Sequence, residues 1–335
     1  MENTEKEIQN DPQLLLFDQI RKVLSPKDVL LHAVSDFLEI SDDSTYCRIR
    51  GKTSVSFREA VQLSKRFGIS LDSIVGNHAQ SSVQFDYTPT NFSDLNELLV
   101  FAKNMSSTIE RLMIIPGSKF LLTVDNFSIF NILSHKELAL FHLFSWHKNM
   151  FGFAAGYDDF VKEPVIDELL ECFKKIVRGY QSIYSSELWS ENVLTTTLNT
   201  INYHYEMEHF SSKNIPMLLC DQLNNIIDTS QNWAETGTKE KEGADFNLYI
   251  CDYNIGTNFV IIKSNNFVNC IIDLFTLSDI RTSNKIFCKE TENWIKHLFH
   301  RSILISGTSQ KERHKFFNLH RQKINVLQKK IKNHR

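Results

Sequence analysis

Between residues 14 and 76 the chain carries five short helical segments in close succession. Serine, a preferred residue at the start of a helix, precedes four of them, and glycine, a preferred residue just past the end, follows three of these four. These punctuating residues are Ser25, Ser41, Ser56, Ser70, Gly51, Gly68 and Gly76. The pattern predicts a small five-helix domain over 14–76. The polar residues 1–13 are predicted to be a disordered lead, and residues 77–91, which are polar with one proline, a linker.

The remaining residues, 92–335, predict a second and larger domain. A chain of 335 residues exceeds what one small core normally supports. Long helical patterns cover residues 92–114, 134–150, 162–180, 187–209, 214–229, 289–301 and 309–333. The periodicity changes after a charged loop at 231–245, and short β-rich runs at 246–252, 258–264 and 267–274 indicate an antiparallel meander within 246–288. Residues 119–124 are a further candidate strand. The fold class is therefore mostly α, and α+β overall, with a small antiparallel β-sheet.

Composition favours a cytoplasmic protein that does not enter a membrane. No segment approaches the roughly 20 apolar residues of a membrane span, and the polar start does not resemble a signal peptide. The six cysteines are widely spaced, which favours reduced thiols over a disulfide framework or a zinc site. Net charge is only −3, but residues 48–66 carry six basic residues against one acid. A local basic patch of this kind suits contact with phosphate.

The segment VLLHAVSDFLEISDDSTYCRIRGKTSVSFREAVQLSKRFGISLDSIVG resembles the XRE or Cro-type helix-turn-helix of lambda-repressor-like bacterial regulators. The resemblance is carried by the tight turn at 39–41, the RIRGK end of the third helix and the closing FGISLDSIV. Glu39 stands where the family's turn usually has glycine. The expected core residues are Val34, Leu38, Ile40, Tyr46, Ile49, Val61, Phe67, Ile69, Leu71 and Ile74.

The resemblance implies that the third helix, about 41–50, enters the major groove of double-stranded DNA. Arg48 is expected to recognise a base directly, because arginine can form two hydrogen bonds with a guanine edge. Ser44 and Cys47 share its outer face. Arg50 and Lys52, near the end of the helix, are expected to contact phosphates. Asp43, like Asp42, either favours the start of the helix or accepts a bond from a cytosine amino group.

Residues 92–335 resemble, more loosely, the C-terminal regions of uncharacterised bacterial regulators through the strings ELALFHLFSW, YSSELWS and RSILISGTSQKERHKFFNLHRQKI. The sequence contains no GxSxG, HExxH, P-loop or GxGxxG motif, so no enzyme activity and no cofactor are predicted. His204 and His209 are candidate metal ligands, but a spacing of five spreads them around a helix, and no metal is predicted. His320 belongs to an apolar stripe on the last helical segment, which is expected to dock onto its own domain.

The sequence therefore predicts a transcriptional regulator that binds DNA as a homodimer. The larger domain is expected to dimerise, through apolar residues such as Leu138, Phe141, Phe144 and Trp146, and to respond to a small-molecule or protein effector. Two alternatives stay open: a degenerate helix-turn-helix that binds another protein, and an enzyme of unknown chemistry tethered to a DNA-binding module.

Overall fold

The structure analysed is a computed structural model, which describes residues 11–24, 29–69, 71, 74, 83–87, 94–152, 156–240, 243–253, 255–265, 267–274 and 278–333. Contacts divide the chain into two compact units, Met1–Ser82 and Val83–Arg335. We refer to them as the N-terminal unit and the C-terminal unit. The lead at 1–10, most of the predicted fifth helix at 71–75 and most of the predicted linker lie outside the described residues.

The described part of the N-terminal unit is built from short helices around one small core. The helices are α1 (Pro12–Val23), α2 (Leu30–Leu38), α3 (Asp42–Ile49) and α4 (Phe57–Phe67). Their buried apolar residues are Leu16, Phe17, Ile20, Leu30, Val34, Leu63, Ile69 and Ile74. Helix α1 supplies three of these and begins earlier than the sequence predicted, because Asp11 caps it by accepting a bond from the Gln13 amide at 2.8 Å. Residues 11–13 are therefore part of the folded unit and not of a disordered lead.

In its described residues, the C-terminal unit combines helices with an eight-stranded mixed sheet. Its helices are α5 (Leu95–Ile114), α6 (Ile129–Leu133), α7 (Lys136–Phe151), α8 (Tyr157–Phe160), α9 (Ile166–Gln181), α10 (Thr195–Glu206), α11 (Asn214–Thr236), α12 (Lys285–His300) and α13 (Gln310–Asn333). Its strands are β1 (Asp86–Tyr87), β2 (Lys119–Val124), β3 (Tyr184–Ser190), β4 (Phe246–Cys251), β5 (Phe259–Lys263), β6 (Val268–Asp273), β7 (Asp279–Thr282) and β8 (Ile303–Leu304). Their order across the sheet is β1-β7-β6-β5-β2-β3-β4-β8.

This sheet is larger than the predicted small antiparallel one, and it is not purely antiparallel. Strands β2, β3 and β4 are parallel neighbours, whereas β5, β6 and β7 form the antiparallel part. Strand β4 was predicted to pair with β5, but β2 and β3 lie between them because long helical crossovers return the chain to parallel positions. Strand β1 lies within the predicted linker and pairs with β7.

Helices cover both faces of the sheet. Along β2, Phe120 and Leu122 point into the main core with the larger group of helices, while Leu121 joins a second core formed with α12. Strand β3 carries polar residues into the main core, since the buried Glu187 carboxylate accepts bonds from the Trp189 indole at 2.9 Å and the Ser185 hydroxyl at 2.9 Å. This polarity explains why residues 187–190 were predicted to be helical.

The abundant phenylalanines form a packed core. Phe141 and Phe144 of α7 are fully buried, and Leu138 and Trp146 are buried beside them. The predicted dimer contact on α7 is therefore wrong, because these side chains already pack inside one chain. The stripe on α13 is buried as well, which confirms that this helix docks onto its own unit; the buried residues include Phe317, His320, Ile324, Leu327 and Ile331.

Candidate nucleic-acid interface

A three-residue turn joins α2 to α3. Helix α2 ends at Leu38, and Glu39 adopts a left-handed backbone with φ 56°. Ser41 then caps α3, its hydroxyl accepting a bond from the Ser44 amide at 3.3 Å. Helices α2 and α3 pack against each other across this turn. Helix-turn-helix proteins, which present their second helix to a DNA groove, also connect the two helices by a turn of about three or four residues.

The exposed face of α3 differs from the predicted one. Thr45 is fully buried and Ile49 packs against the small core, so these residues define the inner face. Tyr46, predicted to be a core residue, is 49% exposed. Asp43 and Arg50 are exposed on the same side of the helix, three residues before and four residues after Tyr46. The Arg50 guanidinium lies 5.6 Å from the centre of the Tyr46 ring, within the range of a cation–π contact.

Arg48 is engaged inside the unit. Its Nη2 atom lies 3.1 Å from Oε1 of Glu59 on α4, its Nη1 atom donates to the Ser44 hydroxyl, and its side chain is only 16% exposed. Burial disfavours the charge of Glu59, but hydrogen bonds from Ser56 and the charge of Arg48 outweigh burial and lower the pKa of the carboxyl. The same carboxylate completes a capping box with Ser56 at the start of α4. Arg48 thus joins α3 to α4 in the free protein.

The loop from Gly51 to Ser56 carries exposed polar and basic residues next to α3. Gly51 has φ 73°, a conformation that favours glycine, and it turns the chain away from α3. Lys52, Thr53 and Ser54 are exposed, as is Arg58 in the first turn of α4. The six residues predicted to contact DNA thus fall into two groups. The exposed ones are Asp43, Arg50 and Lys52, and the partly buried ones are Ser44, Cys47 and Arg48.

One residue of this region was missed by the sequence analysis. The Gln13 side chain on α1 donates to the carbonyl oxygens of Arg48 at 2.7 Å and Thr53 at 2.8 Å, and it accepts from the Val55 amide at 2.8 Å. Its position before the first apolar residues of α1 made it look like part of a disordered lead. The only sequence signal that α1 begins before Gln13 was the capping residue Asp11 followed by proline, which together mark a helix start.

Comparisons with protein-family models, with curated proteins and with solved structures found no match. Function is therefore inferred from the geometry of this chain. Among the described helices, none has both the length and the apolarity of a membrane span. Among the described residues, no three histidine, cysteine or acidic side chains are grouped so that they could hold a metal ion.

The C-terminal unit contains a buried histidine cluster. His204 on α10 shares a hydrogen bond between its Nδ1 atom and Nδ1 of His209 at 2.8 Å, and its Nε2 atom lies 2.8 Å from the Ser145 hydroxyl. Burial, reinforced by His209 and Lys148, lowers the pKa of His204 to about 4. The two histidines are therefore neighbours despite their spacing of five, because the chain turns back after α10, where Glu208 has φ 53°.

A second polar cluster surrounds Lys239. This lysine is fully buried and donates to the carbonyl oxygens of Tyr180 at 2.8 Å and Ile183 at 2.9 Å. Its ammonium lies 3.5 Å from the centre of the Tyr180 ring. Burial lowers the pKa of Lys239 to about 7, against the opposing charge of Glu187. Because these carbonyls lie at and just beyond the C-terminal end of α9, Lys239 stabilises the end of that helix.

Proposed function

We propose that the protein is a DNA-binding transcriptional regulator whose N-terminal unit contacts double-stranded DNA through α3 and the loop that follows it. The observation that supports this most directly is the exposed face of α3. Asp43, Tyr46 and Arg50 project from a short capped helix that follows a three-residue turn, and the exposed Lys52 and Arg58 lie next along the chain. A short exposed helix flanked by cations is suited to a groove bordered by phosphates.

The exposed residues have distinct chemical roles in this proposal. Arg50 and Lys52 neutralise phosphates, and this contribution depends on salt but not on sequence. Asp43 accepts a hydrogen bond from a cytosine amino group, and Tyr46 offers a ring and a hydroxyl to neighbouring base edges. Arg48 reads a base only if its ion pair with Glu59 opens. Ser44, which accepts a bond from Arg48, would be released in the same step. Cys47, directly before Arg48 in the chain and partly buried, would then lie beside the exposed guanidinium.

The test uses the full chain and a pool of random-sequence duplexes. Bound duplexes are selected over several rounds, and affinity for the selected and scrambled sequences is then measured by fluorescence anisotropy over a range of salt concentrations. We expect a selected sequence to bind at least about a thousandfold more tightly than a scrambled one. Lys52→Ala should weaken binding to both and reduce the salt slope by about one unit. Lys136→Ala, which removes an exposed lysine of the C-terminal unit, is the matched control.

The regulator is further proposed to act as a homodimer, because one small helix-turn-helix contacts few base pairs and two half-sites supply useful specificity. The contact would have to use residues other than the buried ones of α7. Light scattering of the full chain, alone and on a selected duplex, tests this directly. A single chain on each duplex would contradict it. Binding of an effector to the C-terminal unit is likewise a proposal.

An interaction protein is the second candidate, and one observation favours it. Phe57 at the start of α4 is 81% exposed, and Tyr46 is also exposed, so the surface that would face DNA presents two aromatic rings. Aromatic residues are enriched in the centres of protein interfaces. The same selection separates the candidates. Failure of the full chain to enrich any duplex from the random pool, even at low salt, would favour a protein partner.

A further inference from the structure

Gln13 connects three elements of the N-terminal unit through one side-chain amide. Its nitrogen donates to the carbonyl oxygens of Arg48, in the last turn of α3, and Thr53, in the loop. Its oxygen accepts from the amide of Val55, two residues further along the loop. Both amide hydrogens and one acceptor site of the side chain are used, at distances between 2.7 and 2.8 Å.

Two of the backbone groups that Gln13 contacts, the Thr53 carbonyl and the Val55 amide, lie in the loop. The third, the Arg48 carbonyl, lies in the last turn of α3 and also accepts a bond from the Gly51 amide at 3.0 Å. Carbonyls in the last turn of a helix have no partner within the helix, and loop amides lack the regular bonds of a strand or helix. The backbone bonds from the loop to α3 come from its first three residues: the amide of Gly51 donates to Arg48 at 3.0 Å, and the amides of Lys52 and Thr53 donate to Cys47 at 2.9 and 3.3 Å. Further along the loop, at Thr53 and Val55, the attachment comes from α1 through Gln13.

We infer that Gln13 is a positioning residue of the DNA interface: it fixes the loop 51–55 against the end of α3, so that the exposed side chains of Lys52, Thr53 and Ser54 are held ready for the DNA backbone. The inference rests on the proposed function, since it names what sets the geometry of the same surface. A loop that is ordered before binding loses less conformational entropy when it binds. Gln13 itself need not touch DNA.

Replacements of Gln13 can remove its hydrogen bonds while keeping the length or shape of the side chain. Gln13→Met keeps the length and removes both donors and the acceptor. Gln13→Glu keeps the shape, but its carboxylate accepts only and would face two carbonyl oxygens. Gln19→Met makes the same replacement at a partly exposed position further along α1 and serves as the matched control.

Two measurements on the full chain test the inference. The first is hydrogen exchange of the Val55 amide in the absence of DNA, which we expect to be at least about tenfold faster in Gln13→Met and Gln13→Glu. The amide of Thr45, which donates to Ser41 within α3 at 2.9 Å, should keep its protection if the helix stays folded. The second is binding to a selected duplex, where both variants should lose affinity and the salt slope should fall by about one unit with unchanged base preference.

The outcomes separate this role from the proposed function. If the unaltered chain binds a selected duplex and Gln13→Met binds it with the same affinity and salt slope, the role assigned to Gln13 is wrong. Unchanged exchange at Val55 would overturn it as well, independently of DNA. If Thr45 loses its protection together with Val55, Gln13 supports the fold of the unit as a whole, which also contradicts a specific role at the loop. If the unaltered chain selects no duplex, the proposed function fails.

Discussion

At the residue scale, the turn between α2 and α3 carries a conformational cost. Glu39 adopts φ 56° with a side chain that includes a Cβ atom, whereas glycine adopts this conformation without a steric penalty. The family resemblance placed a glycine position here, and the backbone has the conformation that glycine would favour. The sequence thus predicted the turn correctly from the surrounding pattern even though the residue itself argues against it.

We expect Glu39→Gly to raise the free energy of unfolding of the N-terminal unit by about 0.5–1 kcal/mol, because relief of the left-handed strain exceeds the added entropy of glycine in the unfolded chain. All four tryptophans lie in the C-terminal unit, so hydrogen exchange of the Thr45 amide is the suitable measurement. Glu39→Ala removes the carboxylate but keeps Cβ, and it should give no such gain. An equal gain from alanine would show that charge and not backbone strain is responsible.

Arg48 allows a second prediction, because its side chain is paired with Glu59 and is not free to contact a base. Arg48→Ala leaves the Glu59 carboxylate partly buried without its cation and should destabilise the N-terminal unit by about 1–2 kcal/mol. Glu59→Gln breaks the same ion pair from the other side and leaves Arg48 in place. We expect both variants to reduce protection of the Thr45 amide.

The two variants also separate support from base readout. If Arg48 only joins α3 to α4, each should leave the relative affinity for single-base variants of a selected duplex unchanged. If Arg48 reads a base, Arg48→Ala alone should relax the preference at one position, by about 1–3 kcal/mol. The second result would restore the role that the sequence predicted for Arg48.

At the element scale, the helices with a clear apolar stripe could be predicted from the sequence, and β3 could not. The pattern predicted α13 at 309–333, and the structure places it at Gln310–Asn333. Strand β3 has the sequence YSSELWS, which lacks the continuous apolar run of a strand buried on both faces. Its polar groups are satisfied by tertiary partners such as the Tyr180 hydroxyl, which donates to Glu187. A single sequence does not reveal partners of this kind.

Helix α13 allows a matched test of burial. Ile324 is fully buried and Val326, two residues later on the same helix, is 70% exposed. Ile324→Ala should reduce the free energy of unfolding of the C-terminal unit by about 2–5 kcal/mol, since it removes buried methyl and methylene groups and leaves a cavity. Val326→Ala should change it by no more than about 0.5 kcal/mol. Urea titration followed by tryptophan fluorescence measures both, and equal effects would contradict the packing of α13.

At the scale of the whole molecule, the change of pattern near residue 80 predicted two domains, and the contacts of the structure divide the chain at Ser82. The architecture of the larger unit could not be predicted, because the order of strands depends on pairings between distant segments. Strand β2, for example, pairs with β3 and β5, which lie well beyond it in sequence. Residues 119–124 were accordingly recognised as a strand, but their central place in the sheet was not.

The C-terminal unit should lose stability on mild acidification. Burial lowers the pKa of His142, His204 and His320 to about 4, below the ordinary value of 6.5. These groups take up protons more readily in the unfolded chain, so the stability present above pH 6.5 is lost as the pH falls towards 4. Each histidine should contribute a loss of about 2 kcal/mol by pH 5. Burial raises the pKa of Asp273 to about 6, so its protonation stabilises the folded chain as the pH falls. This single carboxyl offsets only part of the loss from the three histidines.

The measurement is the urea midpoint, followed by tryptophan fluorescence at several values between pH 7 and pH 5. His320→Gln removes one buried imidazole and should make the midpoint less dependent on pH. His297→Gln removes an exposed imidazole of α12 and should leave the pH dependence unaltered. A midpoint that is constant across this range in the unaltered chain would show that these histidines are not held in their neutral form.

The pairing of β1 with β7 also has a consequence for synthesis of the protein. Asp86 pairs with Arg281, which lies 195 positions further along the chain. A ribosome that adds about 5–20 residues per second needs about 10–40 s to make that stretch. During this interval β1 has no partner strand to pair with, whereas the described helices of the N-terminal unit, the last of which ends at Phe67, have already been synthesised. The edge of the sheet at β1 therefore closes only when most of the chain has been translated.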